Sequence, residues 1–290
     1  MKNPKNIEKF IDEALALQTE EAKKAGALGY MARALVQATM PHSKPKEDSF
    51  TRRNGYYSLT MIADPDFGLP YGSLARLLMS WITREAVQTK SQQLVLGDSL
   101  SGFMRELGLV PTGGRWGSVT RLKDQMKRLV SCSVRFKYDD GEQLRIKKID
   151  PIDSADLFWT PRNPDQGTLF ESTITLSQYF FEEIVESPIV YRLETLKLLK
   201  QSSMAVDLYI WITYRNSYAS KPFYIPWEAL QMQFGAGYPF NAQGKRDFKR
   251  KFLEALKKVA LAYPDAGKLR DEGKNLLFVP GRPDVPKLKK

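Results

Sequence analysis

The tripeptide Trp-Ile-Thr occurs twice in this chain, at positions 81–83 and 211–213, and its surroundings repeat with it. In both places apolar residues precede the Trp at helical spacing. A short apolar segment, a compact helix, a basic amphipathic helix and a hairpin then follow in the same order. This order is typical of a winged helix, which is a helix-turn-helix unit with an added β-hairpin, or wing. We therefore predict an α+β, mainly helical fold with tandem winged-helix domains and an N-terminal helical arm.

The repeat also indicates what the paired tryptophans do. Trp81 and Trp211 each lie on the apolar stripe of a helix, where a large aromatic side chain fills space in a core. Gly108 and Gly235 end the compact helix in the first and second copy, respectively. We expect both tryptophans to be buried rather than to bind a ligand.

Changes in composition predict the boundaries of the domains. Residues 1–40 have a helical apolar pattern, and this helix either packs on the body of the protein or docks on another subunit or host protein. Residues 41–55 contain prolines, Asn54 and Gly55 among charges and are interpreted as a mobile linker. The predicted division is a helical arm and linker at 1–55, a first winged-helix domain at 56–150, a connecting segment at 151–188, a second winged-helix domain at 189–282 and a basic tail at 283–290.

The chain carries a formal net charge of +11 at pH 7 and has a pI of about 9.5. Such an excess indicates a nucleic acid or an anionic membrane as partner, with solubility alone as the alternative. No apolar run of about 18 residues is present, so we expect no membrane-spanning segment. Acidic residues at Glu8, Asp12 and Glu13 break the pattern of a signal peptide. A single cysteine, Cys132, fits a reducing compartment, so we expect a cytoplasmic protein.

The positive charge is concentrated on two predicted helices, at 118–130 and 243–262. From 245 to 258 there are seven Lys or Arg residues and two acids, a net charge of +5; from 115 to 128 there are five and one, a net charge of +4. Apolar residues at 3.6-residue spacing give each helix one inward face. The cations lie on the other face, where a solvated surface is the alternative to DNA contact.

This pattern has the chemistry of a helix in the major groove. Arg can bind guanine through two hydrogen bonds, Gln can do the same for adenine, and marginal cations bind phosphates. The predicted DNA-binding residues are Arg115, Ser118, Thr120, Arg121, Gln125 and Arg128 in the first helix, and Lys245, Arg246, Lys249, Arg250 and Lys257 in the second.

A hairpin predicted at 131–150 follows the first basic helix and is the candidate wing. Its strands alternate apolar residues with Arg135, Lys137, Arg145 and Lys147. These cations either contact phosphates or are ordinary charges of a strand surface.

The sequence gives little support to an enzyme. Its single histidine, His42, excludes a histidine cluster for a metal and a Ser-His-Asp site. We therefore predict no catalytic residue, no metal and no cofactor.

Several motifs resemble the plasmid-encoded replication initiators of the RepA type, over roughly residues 70–285. They are Leu169-Phe170-Glu171-Ser172, Ile174-Thr175-Leu176-Ser177 with Phe180, Phe181 and Glu183, Ser203 together with the run from Asp207 to Arg215, Gln233-Phe234-Gly235, and Tyr263-Pro264-Asp265-Ala266.

The resemblance implies a protein that binds direct repeats, or iterons, in double-stranded DNA of a plasmid origin. It further implies that the protein helps to open the duplex, recruits host replication proteins such as an initiator and a helicase, and represses its own promoter. It also implies exchange between a homodimer and DNA-bound monomers, and a place in the bacterial cytoplasm in association with plasmid or nucleoid. A transcriptional repressor with the same domains and no initiator activity is the alternative, and an enzyme acting on DNA ends is a third hypothesis. Protection of adjacent repeats in one direction would favour initiation, a single inverted repeat would favour repression, and nicking of a supercoiled origin plasmid with magnesium would favour the enzyme.

Overall fold

The chain is described here by a computed structural model that covers residues 40–54, 56–148, 150–159, 165, 171–186, 191–282 and 284. The predicted N-terminal helix lies outside these residues, apart from its last position. The helices are α1 (Gly72–Thr89), α2 (Leu100–Glu106), α3 (Ser118–Ser131), α4 (Gln178–Glu186), α5 (Leu193–Leu199), α6 (Ser203–Asn216), α7 (Trp227–Phe234) and α8 (Ala242–Ala262), with a 3-10 helix at Pro264–Lys268. The strands are β1 (Ser49–Asn54), β2 (Tyr57–Ile62), β3 (Gln93–Val95), β4 (Ser133–Asp139), β5 (Leu144–Lys148), β6 (Ile152–Asp156), β7 (Thr173–Leu176), β8 (Phe223–Pro226), β9 (Leu269–Glu272) and β10 (Asn275–Phe278). The mixture of helix and sheet confirms the α+β class.

The second half of the chain has the predicted order of elements, with α6, β8, α7, α8 and the β9–β10 hairpin in succession. Its three strands form an antiparallel sheet in the order β8-β10-β9, so the strand before the basic helix pairs with the last strand of the hairpin. The hairpin turns at Gly273, whose φ of +73° favours glycine.

The first half has α1, β3, α2 and α3 in the predicted order, but the hairpin after α3 belongs to a different sheet from β3. The β4–β5 hairpin forms as expected, yet β4 pairs with β2 in a separate sheet of order β1-β2-β4-β5. Val134 and Phe136 lie opposite Met61 and Leu59 in that sheet, and burial of this apolar face explains the pairing. The hairpin predicted after α3 is therefore present, but it joins β2 and not β3, the strand that precedes the basic helix.

The strands that pair with β3 come from the predicted connecting segment. β7 pairs with β3 on one side and with β6 on the other, which gives the order β3-β7-β6. This is the order β8-β10-β9 of the second half.

Residues 49–54 correct the prediction of a mobile linker at 41–55. They form β1, which pairs with β2 along its whole length. Arg52 of this strand is only 2% exposed, although arginine in a Pro- and Lys-containing stretch is typical of a solvated loop. Burial lowers the pKa of Arg52 to about 9, and its Nε and Nη1 have no hydrogen-bond partner among the described residues.

Each half has its own hydrophobic core around one of the repeated tryptophans. Trp81 is 2% exposed and packs edge-on against Phe103, and Trp211 is 3% exposed and lies edge-on to Phe234 and Phe278, with ring centroids 5.5 and 5.6 Å away. The prediction that both tryptophans are buried is confirmed.

A buried ion pair joins the two halves. Arg76 of α1 and Asp207 of α6 are both fully buried at their side chains, with Arg76 Nε 2.5 Å from Asp207 Oδ1 and Nη2 2.8 Å from Oδ2. Arg76 also donates to the backbone carbonyls of Met40 and Pro41, and His42 Nε2 lies 2.7 Å from Asp207 Oδ2. The segment before β1 is thereby bound to the junction of α1 and α6.

These groups hold one another in defined charge states. Burial disfavours the charged form of Asp207, but the Arg76 charge and the hydrogen bonds from His42 and Arg76 hold its pKa below the usual range. Burial lowers the pKa of His42 to about 4, so the imidazole is neutral at pH 7. The cluster therefore contains the ion pair of Arg76 with Asp207 and the additional charge of Arg52.

Replacement of Trp211 by alanine tests the second core. Removal of the buried indole leaves a cavity beside Phe234 and Phe278. We therefore expect Trp211→Ala to lower the free energy of unfolding by about 3–5 kcal/mol. Chemical denaturation measures the loss. Trp116→Ala is the matched control, because Trp116 is 82% exposed and its removal leaves no cavity. Equal stabilities of the two variants would show that Trp211 contributes no core packing.

The ion pair between the halves is tested by breaking it on one side. Asp207→Asn leaves the buried Arg76 charge without its counterion, so we expect a loss of about 3–5 kcal/mol in the free energy of unfolding. The double variant Arg76→Met, Asp207→Leu removes both charges and should recover most of that loss. Glu254→Gln, in an exposed pair with Arg250, is the control and should leave the denaturation midpoint unchanged. Additive losses in the double variant would mean that the two side chains do not act as a pair.

Candidate nucleic-acid interface

The helix α8 is placed by its apolar face. Phe248, Phe252 and Val259 are buried against the second core, so the opposite face points to solvent. The side chain of Asn241 caps the helix by accepting a hydrogen bond from the Gly244 backbone N–H at 2.8 Å. A Cβ at Gly244 would lie 1.9 Å from the Pro239 carbonyl oxygen, so only glycine permits this close entry into the helix.

Four of the five predicted cations of α8 lie on its exposed side. Lys245, Arg246, Arg250 and Lys257 are exposed, and Lys257 has no ion pair among the described residues. Arg246 Nη2 donates to the neutral Gln243 at 2.7 Å. Lys245 pairs with Glu228 at 3.0 Å, and Arg250 pairs with Glu254 at 3.0 Å and with Asp247 at 3.6 Å. Exposed pairs of this kind are weak and can exchange for a phosphate.

Lys249, the fifth, is tied to the neighbouring hairpin. Its Nζ lies 2.8 Å from Asp271, donates to the Gly273 carbonyl at 2.9 Å and lies 4.9 Å from the centre of the Trp227 ring. These contacts fix the β9–β10 turn to the basic helix. Helical periodicity indicates only a cation near the start of the helix, and it does not reveal this structural role.

A surface pocket of about 330 Å³ opens beside the first turns of α8. The residues that line it are Tyr238, Pro239, Asn241, Gln243, Gly244, Asp247, Arg250 and Lys251. Lys251 was not among the predicted site residues, although it is exposed and lies 2.9 Å from Glu254. Two cations and the N-terminal end of a helix meet there, which is an arrangement suited to a phosphate group.

The helix α3 presents fewer free polar groups than the sequence predicted. Arg121 is exposed and has no ion pair among the described residues, and Arg115 is exposed on the preceding loop. The hydroxyls of Ser118 and Thr120 are used locally, because they donate to the carbonyls of Val110 and Gly114 at 2.6 and 2.9 Å. Both side chains therefore stabilise the loop that leads into the helix.

Gln125 and Arg128 do not face solvent, and their assignment to the outer face of α3 was wrong. Gln125 is 4% exposed, and its Oε1 accepts a hydrogen bond from the Tyr71 backbone N–H at 2.8 Å. The Arg128 side chain is 12% exposed, with Nε 2.8 Å from Asp124 and its guanidinium over the Tyr71 ring. The segment before α1 covers this side of α3, a tertiary contact that helical periodicity does not reveal.

The β4–β5 hairpin adds cations to the surface of the first half. Arg135 and Arg145 are exposed, Lys137 lies 2.6 Å from Asp139, and the Lys147 ammonium lies 3.2 Å from the centre of the Tyr179 ring.

No described helix has the length and apolar character needed to cross a membrane. No group of three or more His, Cys, Asp or Glu side chains is placed to hold a metal ion within the described residues.

Comparison with solved structures identifies proteins of similar fold. The chain is similar to a crystal structure of selenomethionine derivatives of domains 2 and 3 of RctB, with a TM-score of 0.58 and 11% identity over 89% of this chain and 98% of that chain. A second crystal structure of RctB domains 2–3 matches with a TM-score of 0.53 and 11% identity, over 84% and 94% of the two chains. The chain therefore shares the fold of these two domains.

Comparison of sequences identifies the family. No curated protein matches the chain significantly. The family model described as plasmid-encoded RepA protein matches residues 69–224, which is more than half of the chain and includes α1, α3 and α6. The protein therefore belongs to the RepA family of plasmid-encoded replication initiators.

Proposed function

We propose that this protein initiates plasmid replication by binding repeated sites, or iterons, in double-stranded origin DNA through two winged-helix units. The observation that carries the proposal is the common topology of the halves. Each has a helix, a strand, a second helix and a basic helix, and each has a three-stranded sheet in which the strand before the basic helix pairs with the last strand. In a winged helix this sheet holds the basic helix at the surface for insertion into the major groove.

In the second unit, α7 and α8 are the helix-turn-helix and the β9–β10 hairpin is the wing. Arg246 and Arg250 are close enough to the start of α8 to approach base edges, and Lys245 and Lys257 lie where phosphates pass. The contacts of Lys249 with Asp271 and the Gly273 carbonyl make the helix and the wing one rigid reading element.

In the first unit, α2 and α3 are the helix-turn-helix, and the β6–β7 pair replaces β4–β5 as the wing. Arg121 and Arg115 are the cations of this unit that are exposed near the start of α3.

The further steps of initiation rest on the family. We propose that the bound protein distorts the origin, recruits a host initiator and helicase in the bacterial cytoplasm, and acts without a catalytic site of its own. Regulation of its own promoter and a homodimeric form are proposed on the same ground. A transcriptional repressor without initiator activity is the alternative, and the direction and number of protected repeats in a footprint distinguish the two.

Binding should depend on the exposed arginines of α8. We expect Arg246→Ala and Arg250→Ala each to weaken specific DNA binding by about 1–3 kcal/mol if they read bases. The target is first selected from a random pool of duplex oligonucleotides, and affinities are then measured by fluorescence anisotropy. Arg84→Ala, on the far end of α1 and 41% exposed, is the control and should bind normally. Unchanged affinity of the double variant Arg246→Ala, Arg250→Ala would exclude α8 from the DNA contact.

Binding should also fall steeply with salt, because each phosphate contact releases condensed counterions. The slope of log affinity against log salt concentration changes by about 0.9 for each neutralised phosphate. Replacement of Lys257, an unpaired cation among the described residues, should reduce the slope by about 1 for all sequences alike. A slope near zero in the wild-type protein would contradict contact with phosphates.

A further inference from the structure

An exposed aromatic residue precedes each basic helix at the same position. Trp116 lies one residue before Gly117, the N-cap of α3, and Phe240 lies one residue before Asn241, the N-cap of α8. Trp116 is 82% exposed and Phe240 is 59% exposed. The other four tryptophans, Trp81, Trp159, Trp211 and Trp227, are all buried. Exposure of a large aromatic side chain twice, at equivalent points of two units, calls for a physical reason.

The usual structural reason is missing in both units. A hydrophobic residue just before an N-cap commonly packs against an apolar residue at the fourth helical position, in a hydrophobic staple. Counted from the N-caps, those fourth positions are Arg121 in α3 and Lys245 in α8, both of them exposed cations. Neither aromatic side chain therefore has the apolar partner that a staple requires.

The loop that carries Trp116 is rigid although it contains three glycines. The Thr112 and Ser118 hydroxyls lie 3.0 Å apart, each accepts the other residue's backbone N–H at 2.9 Å, and the Gly117 N–H donates to the Gly114 carbonyl. A Cβ at Gly117 would lie 2.2 Å from the Thr112 carbonyl oxygen. The tight loop thus holds the exposed ring in a fixed place instead of letting it fold back onto the protein.

Phe240 is held between two fixed neighbours. Pro239 contacts the backbone of Gly244 closely, and Asn241 caps α8. Tyr238 packs edge-on against the buried Phe248, with ring centroids 5.8 Å apart. The chain on both sides of Phe240 is therefore anchored while its own ring stays at the surface.

The charge around both rings selects the kind of partner. The Arg115 guanidinium lies 5.2 Å from the centre of the Trp116 ring, and Arg121 is exposed on the first turn that follows. Phe240 is followed by Lys245 and Arg246 on the first turns of α8. A flat aromatic surface surrounded by cations suits a nucleobase with its phosphates better than an apolar protein groove.

We propose that Trp116 and Phe240 are base-stacking residues, which pack against unstacked bases of the bound DNA at the entry to each basic helix. The inference rests on the DNA binding proposed above and adds the means by which the two units distort the duplex. Side chains inserted at a base step unstack it at a cost of a few kcal/mol, and aromatic stacking on the freed base returns part of that cost.

The test compares two duplexes of the same length and flanking sequence, one fully paired and one with a central bubble of non-complementary bases. Wild-type protein should bind the bubble more tightly, because its bases are already unstacked. Trp116→Ala and Phe240→Ala should each lower affinity for the bubble by about 5- to 150-fold, with a much smaller effect on the paired duplex. Trp116→Phe should retain the preference for the bubble. Leu261→Ala, an 87% exposed residue at the far end of α8, is the control and should change neither affinity.

Tryptophan fluorescence gives a second readout that a structural role would not change. Because the other four tryptophans are buried, a neutral aqueous quencher reaches mainly Trp116. Bubble DNA should protect this fluorescence from acrylamide, and the same DNA should protect the Trp116→Phe variant much less.

The outcomes separate this inference from the proposed function. Equal affinity of the wild-type protein for both duplexes, or equal losses on both in the alanine variants, would overturn base stacking and leave duplex binding intact. Unprotected Trp116 in the saturated bubble complex would also overturn it and would indicate a protein partner for this ring. Absence of salt-dependent association with either DNA would overturn both the proposed function and the inference.

Discussion

The arrangement of the two units depends on one buried ion pair. Arg76 and Asp207 lie on α1 and α6, the helices that carry Trp81 and Trp211, and both side chains are fully buried. Loss of one partner of a buried ion pair is costly, so separation of α1 from α6 would leave two buried charges unpaired. The same guanidinium binds the carbonyls of Met40 and Pro41. One interaction thus joins α1 to α6 and holds Met40 and Pro41, which precede β1, at their junction.

The cations of the basic helices fall into two groups, those without an acidic partner and those that stabilise the fold. Arg121 and Lys257 have no ion pairs among the described residues, and Arg246 has only a neutral partner, so their charges are available to a polyanion. Lys249 and Arg128 are equally basic in sequence, but each pairs with an acid inside the protein. Lys249 contacts Asp271 and an aromatic ring, and Arg128 contacts Asp124 and an aromatic ring. Net charge alone would count all five residues alike, while the geometry assigns them to two different tasks.

Much of the fold follows from the periodicity of apolar residues, and the exceptions at Gln125 and β4 have a common cause. Apolar spacing was sufficient to predict α3, α8 and the burial of Trp81 and Trp211, because one face of each helix must be covered. Local pattern did not show that the segment before α1 covers Gln125, nor that β4 pairs with β2. A period-2 pattern identifies a strand but not its partner. A buried strand is also missed when one of its buried residues is polar, as Arg52 is in β1. The errors at Gln125 and at β4 therefore concern contacts between residues distant in sequence.

The pairing of β3 with β7 also has a consequence for folding during translation. Gln93 lies opposite Thr175, a separation of 82 positions (175 − 93), whereas the second unit closes its sheet between residues 223 and 278. A ribosome must therefore release chain as far as Leu176 before the earlier sheet can close. Until then β3 has an open edge, and distant pairings of this kind form slowly. For a considerable part of its synthesis, the nascent chain therefore has the sheet of its first half incomplete.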